Sequence, residues 1–229
     1  MPARFEVPTE HPHVALVTMD RPEQANSFDP ETLRDLASAW KQINEDAEIR
    51  VAILTGAGDR VFSGGMDMKK TIPASQALAR GEKIDPVDFE GIRAVGHATL
   101  VKTRLRVPLI AAVNGHARAG GFDLMLASDI RYSVPHATFA LEEVALGLYP
   151  TGQATVALPR QIASVHAAHL LYTAQPIDAE KALAIGLLNE IVSPEELMPR
   201  AFETADQIAE NAPLAVQATL AGIRALDGM

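Results

Sequence analysis

The chain has 229 residues, of which 48% are hydrophobic and 21% are charged, and its formal net charge is -9. This length and composition are those of an ordinary globular protein with one sizeable core, too short for two full-sized domains. The negative charge and the lack of a dense run of Lys and Arg argue against nucleic-acid binding, and the lack of cysteine excludes disulfides, thiolate catalysis and cysteine metal sites.

The first ten residues lack the basic and then apolar profile of a secretion signal. Nowhere does the sequence contain an apolar run of about 18 residues, the length that a membrane-spanning helix needs. We therefore expect a cytoplasmic protein that neither spans nor enters a membrane.

The first half of the chain reads as strand, helix, strand. A β-branched run at residues 14–19 predicts a buried strand, and Asp29-Pro30 supplies a helix N-cap followed by proline in the first turn. Apolar residues then recur at spacings of three and four, which predicts a helix to about residue 46 with one buried stripe. A further apolar strand is expected at 51–54.

The second half repeats this order and then becomes helical. Residues 109–113 and 130–133 predict strands on either side of a helix at 122–127, which favours a parallel α/β core. After that we expect helices at 165–172, after Asp178, at 195–210 and at 213–226, with a short strand at 190–192. The predicted organisation is an α/β core over residues 1–164 and a helical C-terminal extension over 165–229.

Residues 69–88 differ from the segments around them. They mix polar residues, Gly81 and two prolines without a clean period, which predicts a mobile loop with a broken helix. Such a segment either covers a binding cleft or is a plain surface excursion.

Two glycine-rich stretches each follow an apolar run that reads as a buried strand. They are residues 62–68 (FSGGMDM) and 114–123 (NGHARAGGFD). Together they suggest paired backbone N–H donors aimed at one oxygen, the arrangement that stabilises a carbonyl as it becomes an enolate. Gly120 and Gly121 lie where a helix is expected to begin, so their amides have no partner within the helix.

With residues 21–26 (RPEQAN), these motifs resemble the signatures of the crotonase superfamily, which includes the enoyl-CoA hydratases and isomerases. The resemblance runs from about residue 14 to residue 226 and implies an α/β fold, a spiral of repeated ββα units with a helical C-terminal extension. The chain ends earlier than the family usually does, which puts the subunit contacts and the lid of the acyl pocket in question.

The resemblance also implies roles for single residues. The amides of Met66 and Gly120 would form the oxyanion hole for an acyl-thioester carbonyl. Substrate, including the coenzyme A part, would be bound by Glu23, Gln24, Ala25, Gly64, Gly65, Asp67, Met68, Lys69 and Gly121. For the Asp67 side chain we favour a structural role, because an acid just after a glycine turn often caps the next helix.

For acid–base chemistry, the positions that match the two carboxylates of the family's hydratases are Asp123 and Glu143. Without the resemblance, Asp123 could simply favour a helix dipole, and Glu142 with Glu143 could be a solvated pair. Hydratases typically carry glutamate where this chain has Asp123, and a carboxylate shorter by one methylene can cost on the order of a hundredfold in rate. Family isomerases rely mainly on the later carboxylate, here Glu143.

The leading hypothesis is therefore hydration of a trans-2-enoyl-CoA. Double-bond isomerisation by Glu143 is the nearest alternative, and a catalytically weak acyl-CoA-binding member of the family is another. The expected ligand is an acyl-CoA thioester, with no separate cofactor, because coenzyme A is part of the substrate. The histidines show no metal-ligand spacing, so no metal is expected, and the resemblance implies a homotrimer or a dimer of trimers.

Overall fold

The computed structural model describes residues 1–225, which form two β-sheets surrounded by helices. The strands are β1 (Ala3–Glu6), β2 (Val14–Met19), β3 (Val51–Gly56), β4 (Val61–Ser63), β5 (Leu109–Val113), β6 (His116–Arg118), β7 (Ile130–Ser133), β8 (Thr138–Ala140), β9 (Ile177–Asp178) and β10 (Glu190–Ile191). The α-helices are α1 (Pro30–Glu45), α2 (Thr71–Ala79), α3 (Pro86–Ala98), α4 (Gly120–Leu126), α5 (Ala154–Gln161), α6 (Ser164–Thr173), α7 (Ala179–Ala184), α8 (Leu197–Glu210) and α9 (Pro213–Ala225). Short 3-10 helices cover Pro22–Gln24 and Glu143–Leu146.

The two sheets are built from one recurring unit. The larger sheet has the order β1-β2-β3-β5-β7-β10 and the smaller one the order β4-β6-β8-β9. From β3 to β8, a strand of the larger sheet leads into a short strand of the smaller sheet and then into helical structure, as in β3-β4-α2 and β5-β6-α4. This arrangement confirms the predicted spiral of ββα units.

Helix α1 begins and packs as its sequence predicts. The Asp29 carboxylate accepts the Thr32 amide at 2.9 Å, and Pro30 occupies the first turn. The predicted apolar stripe is buried, and the Trp40 indole donates to the carbonyl of Ala98 at 2.8 Å, which joins α1 to the end of α3. The N-cap and the buried stripe together fix this helix on the core.

Residues 69–88 were predicted to be a mobile loop with a broken helix, and the structure shows the broken helix but little loop. Most of this stretch is helical, because α2 ends at Ala79 and α3 begins at Pro86, where the Asp85 side chain accepts the Val87 amide. Helix α3 lies tightly on the start of α1, since a Cβ on Gly91 would come within 2.2 Å of the Pro30 carbonyl oxygen. A contact between segments far apart in the chain, and not a periodic pattern, stabilises this region.

The C-terminal helices follow the predicted order with shifted ends. Helix α8 packs on the larger sheet, where the Tyr132 hydroxyl and Thr204 Oγ1 lie 2.8 Å apart. Helix α9 extends to Ala225, and the predicted last residue, Leu226, lies outside the described residues. The division into a core over 1–164 and an extension over 165–229 stays a prediction.

The buried Arg131 side chain caps the C-terminal end of α4. Its guanidinium donates to the carbonyls of Met125 at 3.2 Å and Leu126 at 3.1 Å, and to Gln161 Oε1 at 2.7 Å. Burial lowers the pKa of Arg131 to about 10, which leaves the side chain charged at neutral pH. Arg131 therefore connects α4 to α5.

Replacing Arg131 with methionine is expected to lower the free energy of unfolding by about 3 kcal/mol, because several buried carbonyl groups lose their charged donor. Urea denaturation measures this change. Arg34→Met on the exposed side of α1 is the matched control and is expected to change stability by less than about 0.5 kcal/mol. Equal effects of the two substitutions would contradict the role of Arg131.

Within residues 1–225, none of the helices combines the length and the apolar character that crossing a membrane requires.

Candidate active site

The two glycine-rich turns meet in space. Gly65 has φ +81°, and a Cβ there would lie 2.7 Å from the amide nitrogen of Gly120. A Cβ on Gly120 would in turn lie 3.7 Å from the amide nitrogen of Met66. The backbone groups assigned to the oxyanion hole are therefore neighbours.

Neither of these two amides has a protein acceptor within the described residues. The bridge between Phe28 and Met66 uses the Phe28 and Asp67 amides, at 2.8 and 3.1 Å, and leaves the Met66 amide free. Gly120 is the first residue of α4, where an amide has no acceptor within the helix. Two unpaired donors side by side can bind one carbonyl oxygen.

Gly121 sets how closely α4 approaches strand β4. A Cβ on Gly121 would lie 2.3 Å from the carbonyl oxygen of Ser63, so only glycine lets the two backbones come this near. The Ser63 hydroxyl donates to the Asn26 carbonyl at 2.9 Å and accepts the Gly65 amide at 3.2 Å. Gly121 thus holds α4 against the first glycine turn.

Asp123 is buried in α4 and turned toward the start of α5. Its Oδ1 accepts the Ala154 amide at 2.8 Å. Burial raises the pKa of Asp123, and hydrogen bonds from the amides of Ala154 and Gln153 oppose that rise. A Cβ on Gly152 would lie 2.0 Å from Asp123 Oδ2, so the carboxylate lies directly against this glycine.

Glu143 lies at the start of a 3-10 helix, and its carboxylate, unlike that of Asp123, has an oxygen without a partner among the described residues. Its Oε2 is buried and has no hydrogen-bond partner in the part of the chain that the structure describes. Burial raises the pKa of Glu143 and a hydrogen bond to its own backbone opposes this, while the charges of Asp123 and Glu142 raise the pKa further. Because the charge of Asp123 raises the pKa of Glu143, the two predicted carboxylates interact electrostatically.

Arg118 connects strand β6 to strand β8 and to Glu142, the residue before Glu143. Arg118 donates to Thr138 Oγ1 at 2.7 Å and forms an ion pair with Glu142 at 3.4 Å. The Thr138 hydroxyl also lies 2.9 Å from Nδ1 of His116. Burial lowers the pKa of His116, and the charge of Arg118 lowers it further. These contacts stabilise the segment that carries Glu143.

Asp67 occupies a structural position. Its Oδ1 accepts the amides of Lys69 and Lys70 at 2.9 and 3.1 Å, just before α2, and its Oδ2 pairs with Arg21 at 3.1 Å. Arg21 also lies 3.4 Å from Asp29. The ion pairs of Arg21 therefore hold the loop before α1 against the turn before α2.

The other residues predicted to bind substrate lie on the same two segments. The carbonyl of Ala25 accepts the Gly64 amide at 2.8 Å, which places the 3-10 helix next to the first glycine turn. The side chains with free access to solvent are those of Glu23, Gln24, Met68 and Lys69. Substrate binding by these residues stays a prediction.

The ion pairs of Asp29 and Asp67 predict a dependence of stability on pH. Burial alone would raise the pKa of both carboxyls, but hydrogen bonds and the charge of Arg21 lower each pKa overall. A carboxyl with a lowered folded-state pKa stabilises the fold above its unfolded-state pKa, near 4, and this stabilisation is lost as pH falls through the folded-state pKa.

We therefore expect the free energy of unfolding to fall between about pH 5 and pH 3. This fall should be steeper in the wild type than in an Asp29→Asn/Asp67→Asn double variant. Asp123 and Glu143 are present in both proteins, so their opposite contribution cancels in the difference. Urea denaturation at several pH values makes the comparison, and parallel curves for the two proteins would show that these carboxyls are not stabilised in the fold.

Two features of the site were not found from the sequence. Gly152 contacts Asp123 across 29 positions of the chain, and since α5 was not predicted either, no signal in the sequence pointed to this contact. Arg21 belonged to a recognised motif, but its pairing with Asp67 was not predicted.

A cleft of about 1250 Å³ between α5 and α9 lies apart from the two oxyanion amides and from Glu143. It borders Gly152 and Gln153 but includes neither Met66, Gly120 nor Glu143. No group of three or more histidine, aspartate or glutamate side chains within residues 1–225 could hold a metal ion, and the expectation of a metal-free protein stays a prediction.

Comparison with known proteins agrees with this geometry. Residues 9–225 match the family model described as enoyl-CoA hydratase/isomerase. The chain therefore belongs to that family, within the crotonase superfamily, as its motifs suggested.

Its relatives include an (E)-benzylidenesuccinyl-CoA hydratase from Thauera aromatica, which is 41% identical over 96% of this chain and 80% of its own length. A carnitinyl-CoA dehydratase from Proteus mirabilis is 40% identical over 88% of this chain and 73% of its own length. The crystal structure of an enoyl-CoA hydratase from Bacillus anthracis superposes with a TM-score of 0.85 and 33% identity, covering 98% of this chain and 83% of that one.

Proposed function

We propose that this protein is an enoyl-CoA hydratase that adds water across the 2,3 double bond of an enoyl-CoA thioester. The observation that carries the proposal is the buried, unpartnered Oε2 of Glu143 in a fold that also presents two free amides. A carboxylate oxygen without a protein partner is free to accept a proton from water. Burial and the neighbouring charges raise its pKa, which makes it a stronger base.

The reaction follows from these groups. The amides of Met66 and Gly120 donate hydrogen bonds to the thioester oxygen and withdraw electron density from C3. Water, bordered by Asp123 and Glu143, gives its proton to a carboxylate as its oxygen bonds to C3, and the π electrons move onto the thioester oxygen as an enolate. Return of the proton to C2 reforms the carbonyl and yields the 3-hydroxyacyl-CoA.

Main-chain donors suit this chemistry because they are held in place before the charge develops. A donor fixed in a site that excludes water stabilises an oxyanion without rearranging during the reaction. The coenzyme A part would lie along the two segments that carry Glu23 to Ala25 and Gly64 to Lys69, on which Glu23, Gln24, Met68 and Lys69 are exposed. Acid–base catalysis by the carboxylates then needs no separate cofactor.

A spectrophotometric assay with crotonyl-CoA and longer enoyl-CoAs tests the proposal, because hydration removes the absorbance of the conjugated thioester. The panel includes enoyl-CoAs with an aryl or a charged substituent at C3, the kinds of substrate that the names of the two relatives suggest. Formation of 3-hydroxyacyl-CoA is the expected result. A lack of hydration across the whole panel would reject the proposal.

Double-bond isomerisation remains the second candidate, because Asp123 is already engaged with the amides of α5. In an isomerase, Glu143 alone would carry a proton between C2 and C4. Full turnover in Asp123→Asn together with loss of turnover in Glu143→Gln would favour the isomerase. Calorimetric binding of acyl-CoA without any turnover would favour a binding protein.

We also propose that the enzyme is a cytoplasmic homotrimer or dimer of trimers. Exposed apolar side chains at Leu146, Leu148, Tyr149 and Tyr172 support burial between subunits. Light scattering at several concentrations tests the assembly, and a monomer throughout would reject it. Cell fractionation tests the compartment.

A further inference from the structure

We infer that Gly152 is a positioning residue for Asp123, an inference that rests on the proposed hydration. The lack of a side chain at residue 152 creates the space in which the carboxylate reaches the first amides of α5. Aspartate serves at position 123 because residue 152 is glycine.

Gly152 lies directly against the Asp123 carboxylate. A Cβ on Gly152 would lie 2.0 Å from Asp123 Oδ2, 2.3 Å from Cγ and 2.7 Å from Oδ1. Its three nearest neighbours are thus all atoms of one carboxylate, and Cβ atoms in folded proteins essentially never come so near. Any larger residue at 152 must move that carboxylate. The φ of Gly152 is not in the left-handed region, so backbone strain does not explain the glycine.

The residues that follow Gly152 donate hydrogen bonds to the same carboxylate. The Ala154 amide donates to Asp123 Oδ1 at 2.8 Å, and the Gln153 amide also stabilises the carboxylate. These amides lie at the start of α5, which lacks a capping side chain of its own, so Asp123 takes that role from another helix. A carboxylate has about four lone-pair sites, so two amide hydrogen bonds leave sites that can accept a hydrogen bond from water.

The carboxylates of Asp123 and Glu143 therefore have different roles. Asp123 is held in one orientation by α5, whereas Glu143 has a free oxygen for proton transfer. The short aspartate side chain is compensated by the close approach of α5, which Gly152 permits. Fixed geometry of this kind affects the chemical step more than substrate binding.

The test compares Gly152→Ala with wild-type enzyme in the hydration assay. We expect kcat to fall about a hundredfold, because the displaced carboxylate no longer borders the water. KM is expected to change by less than about threefold, since the oxyanion amides and the exposed segments are untouched. Gly222→Ala in α9 adds the same methyl group in open space and should leave kcat and KM unchanged.

A double-mutant cycle on thermal stability gives a readout that does not need activity. Gly152→Ala is expected to lower Tm by about 5 °C in the wild type. In an Asp123→Ala background the carboxylate is gone, and the same change should shift Tm by less than about 1 °C.

The possible failures are distinguishable. A Gly152→Ala variant with wild-type kcat, or Tm changes that simply add, would overturn the positioning role and leave the proposed hydration standing. A wild-type protein that hydrates no enoyl-CoA would reject the proposed function, whereas the stability cycle would still decide whether Gly152 makes room for Asp123.

Discussion

Replacing Glu143 with glutamine is expected to lower kcat by about a thousandfold while acyl-CoA binding persists. The amide keeps the size of the side chain but cannot accept a proton from water. Because Glu143 Oε2 has no protein partner among the described residues, the loss is chemical and not structural. Turnover is followed by the absorbance of the enoyl thioester, and binding by calorimetry.

The adjacent Glu142 offers a matched control for this experiment. Its side chain is 46% exposed and pairs with Arg118, so it lies outside the proposed proton path. Glu142→Gln removes one of the charges that raise the pKa of Glu143, so a small fall in kcat, within about threefold, is expected, well below the effect of losing a general base. Unchanged turnover in Glu143→Gln would remove this residue from the mechanism.

Replacing Gly65 with alanine is the second change with a large expected effect, a loss of about a hundredfold in kcat/KM. The new Cβ would lie 2.7 Å from the Gly120 amide nitrogen, so it must push apart the two turns that supply the oxyanion donors. Loss of one such donor commonly costs this much. The same assay with crotonyl-CoA measures the change.

Backbone strain must be separated from this contact, because Gly65 has φ +81°. Gly186 has nearly the same conformation, φ +80°, but no atom lies near the position of its Cβ. Gly186→Ala is therefore expected to lose stability to a similar degree while its kcat/KM stays near that of the wild type. Equal losses of activity in the two variants would mean that strain, and not the geometry of the donors, explains the effect.

The sequence predicts best where local chemistry decides the structure. Asp29-Pro30 and the apolar stripe that follows define α1 without help from the rest of the chain, and the glycine turns mark where two strands lead into a binding site. For α2 and α3 the sequence predicted only a broken helix without bounds, because the apolar pattern there is weak. Asp85 caps α3 locally, but the packing of Gly91 against Pro30 joins distant segments and leaves no period in the sequence.

The same distinction applies to the candidate site. The two glycine-rich turns could be paired from their motifs, whereas the roles of Met66, Gly120, Asp123 and Glu143 came from the family resemblance. The state of each carboxylate could not be predicted, because that of Asp123 depends on the start of α5 and on Gly152, and that of Glu143 on burial in the folded chain. The role of Asp67 could be anticipated from its place after a turn, but its ion pair with Arg21 required the folded chain.

The main-chain origin of the two oxyanion donors has a consequence for redesign. A substitution elsewhere in the site can change which proton moves, or whether water is used at all, without erasing the groups that polarise the thioester. Positions 123 and 143 are therefore the natural places to diversify when a new reaction on the same activated carbonyl is sought. Gly65, Gly120 and Gly121 are the positions that a library should leave untouched.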